Sequence, residues 1–229
     1  VQLDQNVRKK DSPSLIRDGD GVSPAYDPSG FTNKFINEPF DGGFNIEYVK
    51  DVNGKALTFF INQTMMRIDL PEVLKSGEKV SFSMKWWYNI QDHVNQEGRS
   101  GYETFESDGN RSYIIAQFFP RMAVYNEIEG WQNYQFWGNG EFALPFGNYE
   151  VKITVPADHI LDATGELQNR KEVFSKDMLK RYNKAKKSYD KPIMIVTQAE
   201  AEEAEKNFSK DKNTWHFKAQ NVRDFAFAS

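Results

Sequence analysis

The alternation of apolar and polar residues is clearest near the end of the chain, over residues 214–229. Trp215, Phe217 and Ala219 are each followed by a polar residue, which is the period of a strand with one buried and one exposed face. Over Phe225–Ala228 both faces are apolar, and a strand that is buried on both faces needs a further layer of protein against it. We therefore expect this last strand to lead into another domain.

Short apolar or alternating runs, separated by turn residues, fill residues 44–156 and predict a series of strands. Asn53-Gly54 and Gly147-Asn148 predict hairpin turns between neighbouring strands. Pro120 cannot donate a hydrogen bond to a sheet, so a strand is expected to end or bend there. The predicted strands cover residues 44–49, 56–61, 65–70, 80–90, 113–125, 141–146 and 149–155.

The pattern changes after Pro156, where Lys, Glu and Ala become frequent. Apolar residues at helical spacing predict an amphipathic helix over residues 171–188. Residues 191–197 predict a short strand. Thr197 and Glu200 have the spacing of a capping box, which predicts the start of a second helix.

Together these elements predict a mainly β fold, a β-sandwich or saddle of short antiparallel and mixed strands with one helical insertion. We expect a single domain over residues 1–229, with the insertion at residues 157–213. Val1–Leu3 alternates like the end of a strand, so the domain is expected to be incomplete at both ends. Unpaired strand edges at such ends favour self-association.

The composition narrows the class of partner. Aromatic residues make up 14% of the chain, which supplies enough apolar surface for a folded core. The formal net charge at pH 7 is -4, which argues against nucleic acid as a partner because nucleic-acid binding needs a basic face. No apolar run approaches the roughly 18 residues of a membrane-spanning helix.

The metal-ligating residues are few and scattered. The chain has no cysteine, and its histidines, His93, His159 and His216, are far apart and form no H-E-x-x-H pattern. Asp18–Gly21 begins like a calcium-binding loop, but the next ligand positions carry residues that do not fit, so a plain turn is favoured. We expect no metal, no cofactor and no catalytic residue in this chain, and we predict that it is not an enzyme by itself.

The tryptophans and tyrosines allow two interpretations. Trp86, Trp87 and Tyr88 are consecutive, and Trp131 and Trp137 lie close together further along the chain. The favoured interpretation is that Trp86 and Tyr88 point into the core while the others cover an interface with another domain. The alternative is a stand-alone carbohydrate-binding β-sandwich, in which exposed aromatic rings stack on sugars.

Several longer stretches form an ordered series between Leu57 and Ser229. The stretches are TMMRIDLP (64–71) with LKSG (74–77) and Trp86, IIAQFFPRMAVY (114–125) with Gly130-Trp131, GNGEFALPFGNYEVKITVPADHI (138–160) with ATGELQN (163–169), and NVRDFAFAS (221–229). In order and spacing this series resembles the N-terminal domain of the aminopeptidase N-type zinc metallopeptidases, in their bacterial branch.

The resemblance implies a β-rich saddle domain at the start of a longer peptidase. In that family a thermolysin-like catalytic domain follows, carrying a Gly-x-Met-Glu-Asn motif and an H-E-x-x-H zinc site. Neither motif occurs in this chain, so the resemblance implies a non-catalytic part of the enzyme. Zinc would then belong to the catalytic domain of the same polypeptide, which would be the partner of this chain at the substrate entrance.

The resemblance also implies a role for one residue. In the family a Gln or Glu of the saddle domain binds the free α-amino group of the peptide substrate, and the Q-x-x-P pattern at Gln117–Pro120 matches that position. The Pro-Cys-x-Asp-Glu-Pro sequence that follows in much of the family is absent. We expect Gln117 to lie at a loop tip that faces the catalytic domain and to bind peptide N-termini. The other interpretation is that its amide caps the chain near Pro120.

Overall fold

The computed structural model describes residues 1–13, 28, 32, 36, 40–94, 100–138, 143–206 and 208–229. Strands predominate over helices in this part of the chain, and they form several small antiparallel sheets. The prediction of a mainly β fold is therefore confirmed. The predicted turn at Asp18–Gly21 lies outside the described residues.

The described elements begin with a 3-10 helix at Asp4–Arg8. The helices that follow are α1 (Arg170–Val173), α2 (Lys176–Ala185) and α3 (Gln198–Glu205). None of the helices in the described ranges is long and apolar enough to cross a membrane. The strands are β1 (Asn45–Asp51), β2 (Phe59–Asn62), β3 (Met65–Ile68), β4 (Phe82–Trp87), β5 (Gly101–Thr104), β6 (Arg111–Ile115), β7 (Tyr125–Asn126), β8 (Gly130–Trp131), β9 (Gly147–Pro156), β10 (Asp162–Ala163), β11 (Glu166–Leu167), β12 (Lys212–Val222) and β13 (Phe227–Ala228).

The chain forms two compact units, and each is built from two separate segments. Unit 1 consists of Val1–Gly101 and Gln117–Pro145. Unit 2 consists of Tyr102–Ala116 and Phe146–Ser229. The expectation of one domain with an insertion at residues 157–213, incomplete at both ends, stays a prediction.

Unit 1 contains the antiparallel pair β1–β4 and the hairpin β2–β3. The predicted turn at Asn53-Gly54 forms: Asp51 Oδ1 accepts hydrogen bonds from the backbone N–H of Asn53 at 2.9 Å and of Lys55 at 2.8 Å. The returning segment then forms a single bridge to β1, between Lys50 and Ala56. Beyond that bridge β2 pairs with β3, and β1 pairs along its length with β4. The hairpin predicted between residues 44–49 and 56–61 therefore forms only next to its turn.

The core of unit 1 confirms the favoured interpretation of Trp86 and Tyr88, in which both side chains point into the core. Leu3, Phe44 and Met66 are fully buried, and Trp86 and Tyr88 pack against them. The Phe44 and Tyr88 rings meet edge to face at a centroid distance of 5.5 Å. Burial raises the pKa of the Tyr88 hydroxyl to about 12, so this side chain stays uncharged within the core.

Unit 2 is organised around β12, which lies between β9 and β11 in an antiparallel sheet. Trp215, Phe217 and Ala219 are buried and their neighbours are not, as the alternation predicts. The alternation fails where the register with β9 shifts, between Ala219 and Val222. A second sheet has the order β10-β13-β6-β5.

The helix predicted over residues 171–188 is divided into α1 and α2. Between them Phe174 is extended, and its ring packs edge to face on the buried Trp215 at a centroid distance of 5.8 Å. Ser175 then caps α2, because its Oγ accepts a hydrogen bond from the backbone N–H of Met178 at 3.2 Å. Helical spacing could not indicate this break, since the contact with Trp215 joins residues that are distant in the sequence.

The capping box of α3 is confirmed. Thr197 Oγ1 accepts from the backbone N–H of Glu200 at 3.3 Å, and the Glu200 carboxylate accepts from the backbone N–H of Thr197 at 2.9 Å. A hydrogen bond from Arg181, and then those from Thr197, lower the pKa of Glu200 to about 2. The strand predicted at residues 191–197 is wrong, because the carbonyl of Ile195 accepts from Arg181 Nε at 2.7 Å and not from a neighbouring strand.

Two further strand predictions need correction. The strand predicted over residues 113–125 ends at Ile115, well before the proline at which a break was expected. Residues 143–146 form no strand, and residues 141–142 lie outside the described part of the chain. Gly147-Asn148 is therefore not a hairpin turn but the start of β9, which pairs with β12.

Candidate functional site

Gln117 lies in a turn shortly after β6, and its backbone has a φ of 53°. This value falls in the left-handed region, which residues with a side chain rarely adopt. Such a conformation costs of order 1–3 kcal/mol and persists only where the surroundings hold it. The contacts of unit 1 around this turn supply that support.

The 3-10 helix at the start of the chain holds the backbone of Gln117. The buried Gln5 donates a hydrogen bond from Nε2 to the carbonyl oxygen of Gln117 at 3.0 Å. At its other end the same amide is also engaged, since Gln5 Oε1 accepts from Arg8 Nη1 at 3.2 Å. Both ends of the Gln5 amide are therefore used, which defines its orientation and the position of the carbonyl that it binds.

A buried ion pair fixes the far end of the turn. Arg121 donates from Nε and Nη2 to the two carboxylate oxygens of Asp4, at 2.9 and 2.7 Å, in a bidentate arrangement. The exposed fraction is 0% for the Asp4 side chain and 7% for that of Arg121. The backbones of Arg121 and Gln2 also exchange two hydrogen bonds, of 2.7 and 3.0 Å. The turn is thus tied to the first residues of the chain.

The middle of the turn is attached to the core of unit 1. Trp86 Nε1 donates to the carbonyl oxygen of Phe118 at 3.1 Å. The rings of Phe118 and Phe119 meet edge to face at a centroid distance of 5.0 Å. Hydrogen bonds therefore hold the turn at Gln117, at Phe118 and at Arg121, and this accounts for the unusual backbone conformation.

The side chain of Gln117 is left available by these contacts. It is half-buried, and within the described residues its amide forms no hydrogen bond. A free side-chain carbonyl is an acceptor for a ligand that has only N–H donors, such as a protonated amine. The geometry is compatible with the expected role of Gln117 in binding peptide N-termini. For the alternative role, as a cap of the chain near Pro120, the described residues show no hydrogen bond from its amide.

A second glutamine in unit 1 has nearly the same local structure. Gln63, in the turn between β2 and β3, also has a φ of 53°. Its carbonyl oxygen accepts a hydrogen bond at 2.7 Å from Nδ2 of Asn6, the residue after Gln5. Gln63 is exposed, whereas Gln117 is half-buried. The pair offers a matched comparison for any test of Gln117.

The structure separates the tryptophans that the sequence groups together. Trp86 packs on the core and uses its N–H within the protein, so it is not part of an exposed platform. Trp87, the next residue on β4, is 50% exposed. Trp131 is 56% exposed and pairs across the β7–β8 hairpin with Tyr125, with ring centroids 5.3 Å apart. Trp137 is exposed as well.

The three histidines lie in separate local environments. His93 is exposed in a turn. His159 Nδ1 shares a hydrogen bond of 2.7 Å with Ser229 Oγ, and His216 Nε2 shares one of 2.8 Å with Glu150 Oε1. The hydrogen bond with His216, followed by that with Lys218, lowers the pKa of Glu150. These two histidines thus take part in paired contacts within unit 2.

Comparison of the chain with family models, with curated proteins and with solved structures finds no match. A role for Gln117 therefore depends on the series of motifs between Leu57 and Ser229 and on the geometry of the turn.

Proposed function

We propose that this chain is a non-catalytic domain of a zinc aminopeptidase, in which Gln117 binds the free amino group of a peptide substrate. The series of motifs between Leu57 and Ser229 supports the proposal through its resemblance to the N-terminal saddle domain of these enzymes. The observation that carries it is the turn at Gln117. There the side-chain amide has no hydrogen bond to any described residue, and Gln5 holds the backbone in a left-handed conformation.

Recognition of a free amino terminus requires a hydrogen-bond acceptor in a fixed position. A protonated amino terminus has N–H donors and no acceptor, so it binds to a carbonyl or carboxylate oxygen. Gln117 offers such an oxygen on its side chain. Because the backbone is already ordered by Gln5 and by the Asp4–Arg121 pair, less conformational freedom is lost on binding. A peptide with an acetylated N-terminus lacks the ammonium group and would bind less well.

Hydrolysis belongs to another domain in this proposal. The sequence contains no H-E-x-x-H motif. Among the described residues, no three His, Asp or Glu side chains come together as a metal site. The contribution of this chain is therefore to orient the amino terminus of the substrate and to shape the entrance to the catalytic domain against which it packs.

A comparison of this chain with the longer protein that the proposal implies provides the test. We expect the isolated chain to bind no stoichiometric zinc by elemental analysis and to leave an aminoacyl reporter uncleaved, because the zinc motif is absent. We expect the longer protein to bind zinc and to cleave the reporter. Turnover by the isolated chain above a blank without protein would refute the proposal.

A stand-alone carbohydrate-binding module is the second candidate, and the β7–β8 hairpin favours it. Tyr125 and Trp131 are both exposed there and are directly paired. Exposed aromatic rings offer apolar faces on which sugars can stack. The two candidates are distinguished by titrating the chain with neutral oligosaccharides: quenching of tryptophan fluorescence that is lost in Trp131→Ala would favour the module.

A further inference from the structure

Strand β9 forms one edge of the sheet in unit 2. The order of that sheet is β11-β12-β9, and β12 is the only strand that pairs with β9 in the part of the chain that the structure describes. β9 runs from Gly147 to Pro156 and has 10 residues. A typical strand has about 5–6 residues. Unit 2 therefore has a long strand at an edge where a further strand can be added.

Most of the features that protect an edge strand are missing from β9. Such strands are usually kept from pairing with another chain by shortness, by a proline, by a bulge or by charged side chains. Pro156 is the last residue of β9, and the register shift with β12 lies between Ala219 and Val222, where β12 has the extra residue. The charged residues of β9 are Glu150 and Lys152. Whether this edge accepts a second strand therefore depends on these two charges.

Glu150 and Lys152 lie on the exposed face of β9, and Val151 between them faces the other way. Towards β12, Glu150 Oε1 lies 2.8 Å from His216 Nε2 and 3.4 Å from Lys218 Nζ. Lys152 forms no ion pair with a described residue. A strand added at the open edge would thus meet a carboxylate and an ammonium group two residues apart. An antiparallel strand matches them when it also has an acidic residue two positions before a basic one.

β9 itself has this pattern, so it is complementary to a second copy of itself. When two copies pair antiparallel with Val151 opposite Val151, Glu150 of each copy lies opposite Lys152 of the other. Residues 147–155 are then all paired, and Pro156, which has no N–H to donate, lies beyond them. A register displaced by one residue would place exposed side chains beside interior ones. A register displaced by two would place Lys152 opposite Lys152, or Glu150 opposite Glu150, and like charges in these positions are destabilising.

We propose that unit 2 docks on a second copy of this chain through β9, in an antiparallel pair centred on Val151. The pair joins two three-stranded sheets into one continuous sheet. Main-chain hydrogen bonds supply the attraction, and the two pairs between Glu150 and Lys152 set the register. These residues belong to unit 2, whereas Gln117 belongs to unit 1. The surface is independent of the function proposed above, so the failure of either proposal would leave the other unaffected.

Reversal of the two charges tests the pairing in solution. By sedimentation of the complete chain at low ionic strength, we expect a dimer at submillimolar concentration. Glu150→Lys or Lys152→Glu alone places like charges opposite each other twice in each dimer, so each should weaken dimerisation about tenfold or more. The double variant Glu150→Lys/Lys152→Glu restores both pairs, and its dissociation constant should return to within about threefold of the original. A monomeric unmodified chain, or a double variant that dimerises no better than the single ones, would overturn the proposal.

A control variant carries the same change of charge away from β9. Glu72 is exposed in the segment after β3, and Glu72→Lys should leave the dissociation constant of the dimer unaltered. If Glu72→Lys weakened the dimer as much as Glu150→Lys does, net charge and not the edge of β9 would govern association, which would contradict the proposal.

Single cysteines test the register without the charge variants. The chain has no cysteine, so one introduced cysteine forms disulfides only between copies. In Val151→Cys the two cysteines are directly opposite, with Cα atoms about 4.5–5.5 Å apart, which a disulfide spans. In Thr154→Cys, on the same strand, the two cysteines are offset by six residues or roughly 20 Å, which is too far. Under mild oxidation we expect a linked dimer of Val151→Cys and little of Thr154→Cys. Equal linkage of the two variants, or no linkage of Val151→Cys, would overturn the proposed register.

Discussion

Replacing Arg121 by Met is expected to lower the free energy of unfolding by about 3–5 kcal/mol, because it leaves a buried carboxylate without its partner. The Asp4 carboxylate is fully buried. It accepts two hydrogen bonds from Arg121, at 2.9 and 2.7 Å. The measurement is urea denaturation of Arg121→Met beside the unmodified chain. The substitution should also loosen the turn that carries Gln117.

Two control variants show whether the loss of stability comes from a buried charge without its partner or from the loss of any ion pair. In Asp4→Leu/Arg121→Met neither member of the ion pair is left behind, and the double variant should recover much of the lost stability, since a buried ion pair can often be replaced by apolar residues. Arg67→Met breaks the exposed pair between Arg67 and Asp69, 2.9 Å long, and should change stability by about 1 kcal/mol or less. Equal losses in Arg67→Met and Arg121→Met would contradict the buried pair.

Replacing Phe217 by Ala is expected to cost about 3–5 kcal/mol of stability, through lost burial and the cavity that remains. Phe217 is 1% exposed and lies opposite Val151 of β9 on one side and Leu167 of β11 on the other. Its side chain therefore lies at the centre of the sheet in unit 2. Thermal unfolding followed by circular dichroism measures the effect.

Phe208→Ala removes the same side chain from the surface of unit 2. Phe208 is 73% exposed, so its loss should change stability by no more than about 0.5 kcal/mol. If Phe217→Ala were as mild as Phe208→Ala, the buried face of β12 would be wrongly assigned.

The features that the sequence predicts correctly depend on neighbouring residues. The buried face of β12 follows from the alternation at Trp215, Phe217 and Ala219, which one strand displays by itself. The capping box at Thr197 joins residues within one turn of helix. Local chemistry was sufficient in both cases.

The features that the sequence does not predict depend on distant residues. Asp4 and Arg121 are 117 positions apart, and nothing in the spacing of either residue indicates the other. The pairing of β1 with β4 and the break at Phe174 likewise depend on tertiary packing. Local patterns therefore located many strands without identifying their partners.

The candidate site at Gln117 also depends on distant residues that the sequence does not connect. The motif resemblance singled out Gln117, but glutamine has no marked preference for a positive φ, so its left-handed backbone was not foreseen. The groups that hold it, Gln5 and the Asp4–Arg121 pair, lie in a segment that the resemblance does not cover. Only the folded structure brings them to the turn.

The role that we propose for Gln117 is tested most directly by kcat/KM of the proposed full-length peptidase for an aminoacyl substrate in two variants, Gln117→Ala and Gln63→Ala. Both substitutions remove a glutamine side chain from a backbone with a φ of 53°, so any strain of the turn is matched. We predict that Gln117→Ala lowers kcat/KM about 10- to 150-fold, the effect of one hydrogen bond to a charged group, with zinc content unchanged. Gln63→Ala should leave it nearly unaltered. An unchanged kcat/KM in Gln117→Ala, or an equal fall in both variants, would contradict a role for Gln117 in binding the amino terminus.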